Sequence, residues 1–369
     1  MKKNHTDMNR NKVLLTASIS LLLWAASGYA DSRCEIAFPD IAGYTTLKCD
    51  FHMHTVFSDG KVWPDVRVEE AWREGLDAIA ITDHIEYLPH KGDIPKNLDR
   101  PFEIAGKKAE ELGILLIKGA EMTFDTPPGH FNAIFVQDIA ALEAKVLLDE
   151  AKNAHQQGGF IFWNHPDWQG HEKGQWIDLY TTMVQDGLMN GIEICNGSAY
   201  YSRAHQWCLE KNLTMVGNTD IHGPSMRLAN TDKDHRTMTL VFAKEKSLAA
   251  IKEALQNGRT AVWCEDKLIG KKEFLEPLFY ASVTIQNPLP SNNDIVVDLH
   301  NRSEISITLD RKGDTGPKTI VLGAKGTTRV KFPLQTEPFV YTVKNFLIAP
   351  EKGLPIKLDI STVFSGKTK

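Results

Sequence analysis

Histidines and carboxylates recur along the first 222 positions of this 369-residue chain at short offsets: His52-Met-His54, Asp83-His84, Glu121, His165, Glu193 and Asp220-Ile-His222. Imidazole nitrogens and carboxylate oxygens are the donors that hold divalent transition metals, and their mixture suits Zn, Mn or Fe better than Ca or Mg. His-x-His and Asp-x-His also put both side chains on one side of an extended strand, because strand side chains alternate with period two. One histidine near a strand end is an ordinary core or surface residue. A succession of them is a candidate multinuclear metal site.

The elements that must position these residues are legible in the hydrophobic pattern. Short β-like runs at 46–51, 78–82, 114–118, 160–163, 191–195, 214–217 and 237–242 alternate with helix-period segments, which predicts parallel strands joined by crossover helices. Val68, Ala71, Trp72 and Leu76 form one apolar stripe between the first two strands, and further helices are expected near 101–112, 140–157, 174–186, 199–211 and 246–257. The candidate ligands then fall at strand C-terminal ends, which converge on one face of a closed parallel barrel. Beyond about residue 275 the runs alternate apolar and polar between Asn, Gly and Pro clusters, the texture of an antiparallel β-sandwich. The expected organisation is a leader at 1–30, a hydrolase barrel at 31–268 and an Ig-like sandwich at 269–369.

In order along the chain, His52-x-His54-Thr-x-x-Ser58-Asp59-Gly60, Ile81-Thr-Asp83-His84, Gly119-Ala-Glu121, Gly129-His130-Phe131, Asn164-His165-Pro166 and Gly217-Asn-x-Asp220-x-His222 resemble the motifs of the PHP (polymerase and histidinol phosphatase) superfamily. The resemblance spans about residues 46–264. It implies an α/β fold, a distorted seven-stranded β/α barrel, and a site for up to three divalent ions that hydrolyses phosphate esters. By the same resemblance His52, His54, Glu121 and Asp220 hold one ion, Glu121, His130 and His165 a second, and Asp59, His84 and His222 a third, with Glu121 as the bridge. Read on their own, Ser58-Asp59-Gly60 also fits a plain turn and His130 a surface loop.

Ions in such a site lower the pKa of bound water toward about 7, so no serine or cysteine nucleophile is required. The chain accordingly has no Gly-x-Ser-x-Gly elbow and no Gly-x-x-x-x-Gly stretch followed by Lys-Ser/Thr. The proton donor to the leaving oxygen is left open among His222, Asp83 and water. Candidate substrate contacts are the cations Arg227, Arg203 and Lys91 and the flat side chains Trp168, Tyr200 and Tyr201. Asp83 is placed to orient a neighbouring ligand or to cap a helix, and Glu193 and Asn196 stand at the height of the pocket.

Lys plus Arg number 42 against 47 Asp plus Glu, a formal charge of −5, without the cationic excess that coating a nucleic acid requires. A basic N-terminal stretch, the apolar run Val13 to Ala26 and the small residues Gly28 and Ala30 predict a bacterial-type secretory signal cleaved after Ala30. The run is short for a membrane span. The mature chain is therefore expected in the periplasm or medium. All five cysteines lie beyond the cut, and Cys34 with Cys49 is the plausible bridge.

Exported members of the superfamily with an added β-sandwich resemble phosphodiesterases of small organic esters, so a diesterase is the leading expectation and a monoesterase the second. An amidohydrolase-like enzyme also begins with His-x-His, but often bridges its metals with a carboxylated lysine where this chain has Glu121. A non-catalytic binding protein would not need the full ligand set.

Overall fold

The computed structural model describes residues 32–360 except 228, 229, 232, 233, 312, 314 and 336. The expected leader lies outside the described residues. No described helix is long and apolar enough to cross a membrane.

The chain alternates strands and helices from its first element. β1 (Thr45–Asp50) leads to α1 (Pro64–Arg73), β2 (Ala78–Ile81), α2 (Arg100–Leu112), β3 (Leu115–Met122) and β4 (Phe131–Ile134). Then come α3 (Leu147–Gln156), β5 (Phe160–Trp163), α4 (Asp178–Gln185), β6 (Gly191–Asn196), the short β7 (Ala199–Tyr200), α5 (Ser202–Lys211) and β8 (Thr214–Asn218). The barrel unit ends with β9 (Met238–Ala243), α6 (Leu248–Gln256), β10 (Thr260–Cys264) and β11 (Lys267–Gly270). β1, β2 and β3 pair in parallel, as do β5, β6 and β8. β2, β4 and β5 are buried along their whole length, as expected of strands covered on both faces.

Two features depart from the all-parallel pattern. β4 runs antiparallel between β3 and β5, so its N-terminal end lies where its neighbours' C-terminal ends do. The seventh expected strand, β9, is antiparallel to β1 and continues antiparallel into β10 and β11. A run of alternating apolar residues does not encode strand direction, so the pattern could not show this. Side chains tie β8 to β9 and β10: the Thr239 hydroxyl accepts from Gly217 N and donates to Gly217 O, and Thr260 Oγ1 donates to Met215 O. A Cβ on Gly217 would stand 2.2 Å from Val262 Cγ1, so only glycine lets β8 approach this closely.

The stretch around the expected boundary at 268/269 is itself folded. It supplies β11 and α7 (Lys272–Ser282), whose Leu275, Leu278 and Phe279 are buried. The sandwich follows with β12 (Val283–Ser291), β13 (Asp294–Asn301), β14 (Ile307–Asp310), β15 (Thr319–Leu322), β16 (Thr327–Pro333), β17 (Phe339–Ala349) and β18 (Lys352–Leu358). One sheet is β12-β13-β16; the other, β15-β14-β17-β18, is joined to the barrel sheet through the parallel pair β17-β11. Trp263, Leu268, Phe279 and Phe346 belong to one apolar core shared by both units. The five cysteines are free thiols, four of them buried, so the expected Cys34–Cys49 bridge is not formed. They pack as small apolar side chains.

Candidate metal centre

The barrel face at the ends of β1, β2, β5 and β8 gathers the predicted ligands, and β4 adds His130 because its direction is reversed. His52 and His54 follow β1, His84 follows β2, Glu121 lies in β3, His165 follows β5, and Asp220 and His222 follow β8. Two of these residues sit in the left-handed region, His165 at φ 28° and Asp220 at φ 52°. Strain of this kind persists where the surroundings hold a side chain in a required direction.

The donor atoms fall into three groups. Asp220 Oδ1 is 3.1 Å from His52 Nε2 and 3.0 Å from His54 Nε2, and Glu121 Oε2 is 3.2 Å from each. The other oxygen of the same carboxylate, Glu121 Oε1, stands 2.8 Å from His130 Nδ1 and 3.7 Å from His165 Nε2. Asp59 Oδ1 lies 3.1 Å from His222 Nε2 and 3.5 Å from His84 Nε2. All nine residues named from the sequence as ligands are thus brought together, with Glu121 facing two groups at once.

Hydrogen bonds around the rim orient the imidazoles. His52 Nδ1 faces Glu193 Oε1 at 3.2 Å, and His222 Nδ1 is 2.8 Å from Asp220 O. His54 Nδ1 is 3.3 Å from Ser58 Oγ, which donates to Asp83 at 2.6 Å and therefore accepts from the ring. His84 Nδ1 meets Thr123 Oγ1 at 2.6 Å. A carbonyl or carboxylate acceptor at Nδ1 holds a proton there, so Nε2 is the nitrogen that would meet an ion once its own proton is displaced. Glu121 Oε1 and Asp220 Oδ1 are buried without a hydrogen-bond partner among the described residues. Buried carboxylate oxygens beside inward-facing imidazole nitrogens fit divalent cations, which would supply the missing partner.

The charges are strongly coupled. Burial disfavours the charged His52, yet the carboxylates of Asp220, Glu193 and Glu121 hold its pKa well above the ordinary value. His54, against the same burial, is pushed up to about 10 by the adjacent carboxylates of Asp220 and Glu121. Burial opposes ionisation of Asp59 too, and is outweighed by His222 and His84, which hold it well below the usual carboxylate range.

The remaining predicted residues take more specific places. Glu193, fully buried, accepts from Asn218 and from His52 on one oxygen and from His165 N and Asn196 on the other. Asn196 also donates to Asp220 Oδ2 at 3.2 Å. Asp83 caps no helix and touches no ring: it accepts from Thr55 N, Thr55 Oγ1 and Ser58 Oγ, fixing the loop that carries Asp59. Those bonds occupy both oxygens and remove it from the proton donors the sequence left open.

Of the proposed substrate contacts, Trp168 lines the cavity of about 300 Å³ over the ligands. Arg203 instead clamps Asp167 and donates to His171 O and Gly174 O. Tyr200 bonds His205 Nδ1, and Arg227 pairs with Asp234 beside a larger neighbouring cavity of about 660 Å³. Sequence reasoning gave no role to Asn218 or to Asp50, whose two oxygens accept from Thr219 N and Oγ1 and so set the turn into Asp220. Asn218 stands inside the Gly217-Asn-x-Asp220 motif, the one signal that could have found it.

The family model of the PHP domain matches residues 50–158, and that of an Ig-like domain matches residues 282–359. A crystal structure from Bacteroides vulgatus, described as a two-domain protein containing a predicted PHP-like metal-dependent phosphoesterase, is 44% identical. The match covers 90% of this chain and 100% of that one, with a TM-score of 0.85. Among curated proteins, the uncharacterized protein MJ1295 of Methanocaldococcus jannaschii is 40% identical over 81 residues. That match takes in 22% of this chain and 36% of the archaeal protein.

Proposed function

Because this chain belongs to the PHP family of metal-dependent phosphoesterases, we propose that it is an exported phosphodiesterase acting on small organic phosphate diesters. The observation that carries this reading is the makeup of the cavity. Nine His, Asp and Glu side chains converge on one barrel face, while no Lys or Arg lines the cavity over them among the described residues. A dianionic monoester calls for cationic side chains around its free oxygens; a diester carries one negative charge and a second organic arm. Arg203 and Arg227 are engaged with Asp167 and Asp234, and Trp168 supplies an apolar wall.

His52, His54, Glu121 and Asp220 would hold one divalent ion, Glu121, His130 and His165 a second, and Asp59, His84 and His222 a third. When bound, such ions make hydroxide available near neutral pH and neutralise charge on the phosphoryl oxygens. The protein's own part is orientation. Glu193 and the Ser58-Asp83 pair direct His52 and His54 inward, Asn196 steadies Asp220, and burial of the cluster keeps competing water from the carboxylates.

Protein loaded with Mn or Zn is expected to hydrolyse bis(4-nitrophenyl) phosphate faster than 4-nitrophenyl phosphate, and His165→Ala to abolish both. Faster turnover of the monoester would overturn the diesterase reading, and no turnover of either would overturn phosphoester chemistry. Cell fractionation with an antibody to the sandwich tests export, which expects the protein outside the cytoplasm.

A further inference from the structure

We infer that Trp168 is the residue that selects the ester's organic arm, and that the arm it takes is a planar aromatic group. The inference rests on the phosphoesterase reading above and adds a substrate class to it.

Trp168 is 51% exposed although it lines the cavity over a cluster of His, Asp and Glu side chains. Its ring centroid lies 5.6 Å from that of His130 and 5.5 Å from that of His165, so it borders the half of the cluster built on Glu121 Oε1. Rings continue from there in contact, His130 to His84 at 5.9 Å and His84 to Tyr87 at 5.7 Å, and Tyr87 is 52% exposed. The run of imidazoles therefore ends in a half-exposed aromatic side chain at each end. An indole face left in water beside a ligand cluster gains by covering, and a flat π-system covers it better than an alkyl chain of the same size.

The platform is held in place before anything binds. Trp168 N donates to His165 O at 3.1 Å, closing a turn directly after a proposed ligand. Asp167, next to Trp168, accepts from Arg203 and stands 2.9 Å from His171 Nδ1. Arg203 also donates to His171 O and Gly174 O. A Cβ on Gly174 would meet Pro166 O at 2.2 Å, so the loop folds tightly back on itself. These contacts give Arg203 a different task from gripping phosphate: it braces the loop that carries Trp168. A loop already fixed loses little freedom on binding, so more of the stacking gain appears as affinity.

The test uses methylphosphinates, which carry one negative charge as a diester does and place a non-hydrolysable arm beside the anion. Isothermal titration calorimetry of Mn-loaded protein compares methyl(phenyl)phosphinate with cyclohexyl(methyl)phosphinate, and hydrolysis of bis(4-nitrophenyl) phosphate is followed in parallel. The phenyl compound is expected to bind about 5- to 30-fold more tightly, the range set by aromatic stacking. Trp168→Phe should keep most of this preference, whereas Trp168→Leu, which retains apolar bulk without a π-face, and Trp168→Ala should bring the two affinities together. Equal affinities in the unaltered protein, a preference that survives in both Trp168→Leu and Trp168→Ala, or no binding of either phosphinate would overturn the assignment. Loss of turnover with the aryl preference intact would instead overturn the phosphoesterase reading alone.

Discussion

Glu193 is the residue whose removal should reveal how the site is tuned. Its side chain is fully buried, and four hydrogen-bonding groups converge on one carboxylate: His52 Nδ1 and Asn218 Nδ2 on Oε1, His165 N and Asn196 Nδ2 on Oε2. Glu193→Gln keeps the shape and replaces one acceptor oxygen by an NH2 group. If the NH2 faces His165 N and Asn196, two donors lose their acceptor, at about 1–3 kcal/mol each. If it faces His52 and Asn218, one donor is lost and His52 Nδ1 must accept. The second arrangement is the cheaper, and it moves the His52 proton to Nε2, the atom that faces Glu121 and Asp220. Metal binding must then reverse the tautomer, so affinity should fall by about 10- to 100-fold, equivalent to about 1.4–2.7 kcal/mol. Calorimetric Mn or Zn titration, with thermal melting to confirm folding, measures this. A folded variant with unaltered metal affinity would refute the argument that Glu193 sets the His52 tautomer.

Other consequences follow from the same geometry. In the metal-free protein His54, raised to about 10 from the ordinary 6.5, and His52, raised likewise, carry protons at neutral pH; ions must displace them, so apparent affinity in a chelator competition should climb with pH, about tenfold per unit for each proton displaced. The sign for stability is opposite: the contribution from His54 is complete below about 6.5 and is lost as pH rises through about 10, so the metal-free melting temperature should fall over that window. Burial and the adjacent Glu86 push Glu150 up to about 9, so the folded state retains a proton that the unfolded chain releases above its ordinary 4.5. Glu150→Gln should therefore melt above the unaltered protein at pH 8, with the gap closing toward pH 4.5. Gly217→Ala should cost about 1–3 kcal/mol by overpacking against Val262, and Val262→Ala in the same chain should restore part of the loss; an unchanged melting temperature would show that β8 can retreat from β10.

Much of this site was legible because ligand chemistry restricts residue type and strand geometry restricts spacing. His52-x-His54 and Asp220-x-His222 carry both constraints, and both pairs join the cluster. His130 lacked the strand-end signal because it precedes β4, and only the reversed pairing of β4 with β3 brings it to the face. Strand direction was hidden for the same reason in β9, since periodicity is blind to it. The roles of Glu193, Asp83 and Arg203 were out of reach because each depends on partners distant in sequence: Glu193 lies 141 positions from His52, and Arg203 lies 36 from Asp167. A charged side chain reads the same in sequence whether it grips a ligand or braces a loop. Near the expected boundary the charges of Lys271, Lys272, Glu273 and Glu276 likewise mask the buried stripe of Leu275, Leu278 and Phe279 on α7.

The geometry implies that one barrel face of this chain would take up a cluster of divalent ions, with Glu121 shared between two of them. Native mass spectrometry of the Mn- or Zn-saturated protein decides this. Three ions per chain are expected, falling to one in Glu121→Ala because both groups that share its carboxylate lose a ligand. A folded protein that takes up one ion or none at saturating metal would contradict the account.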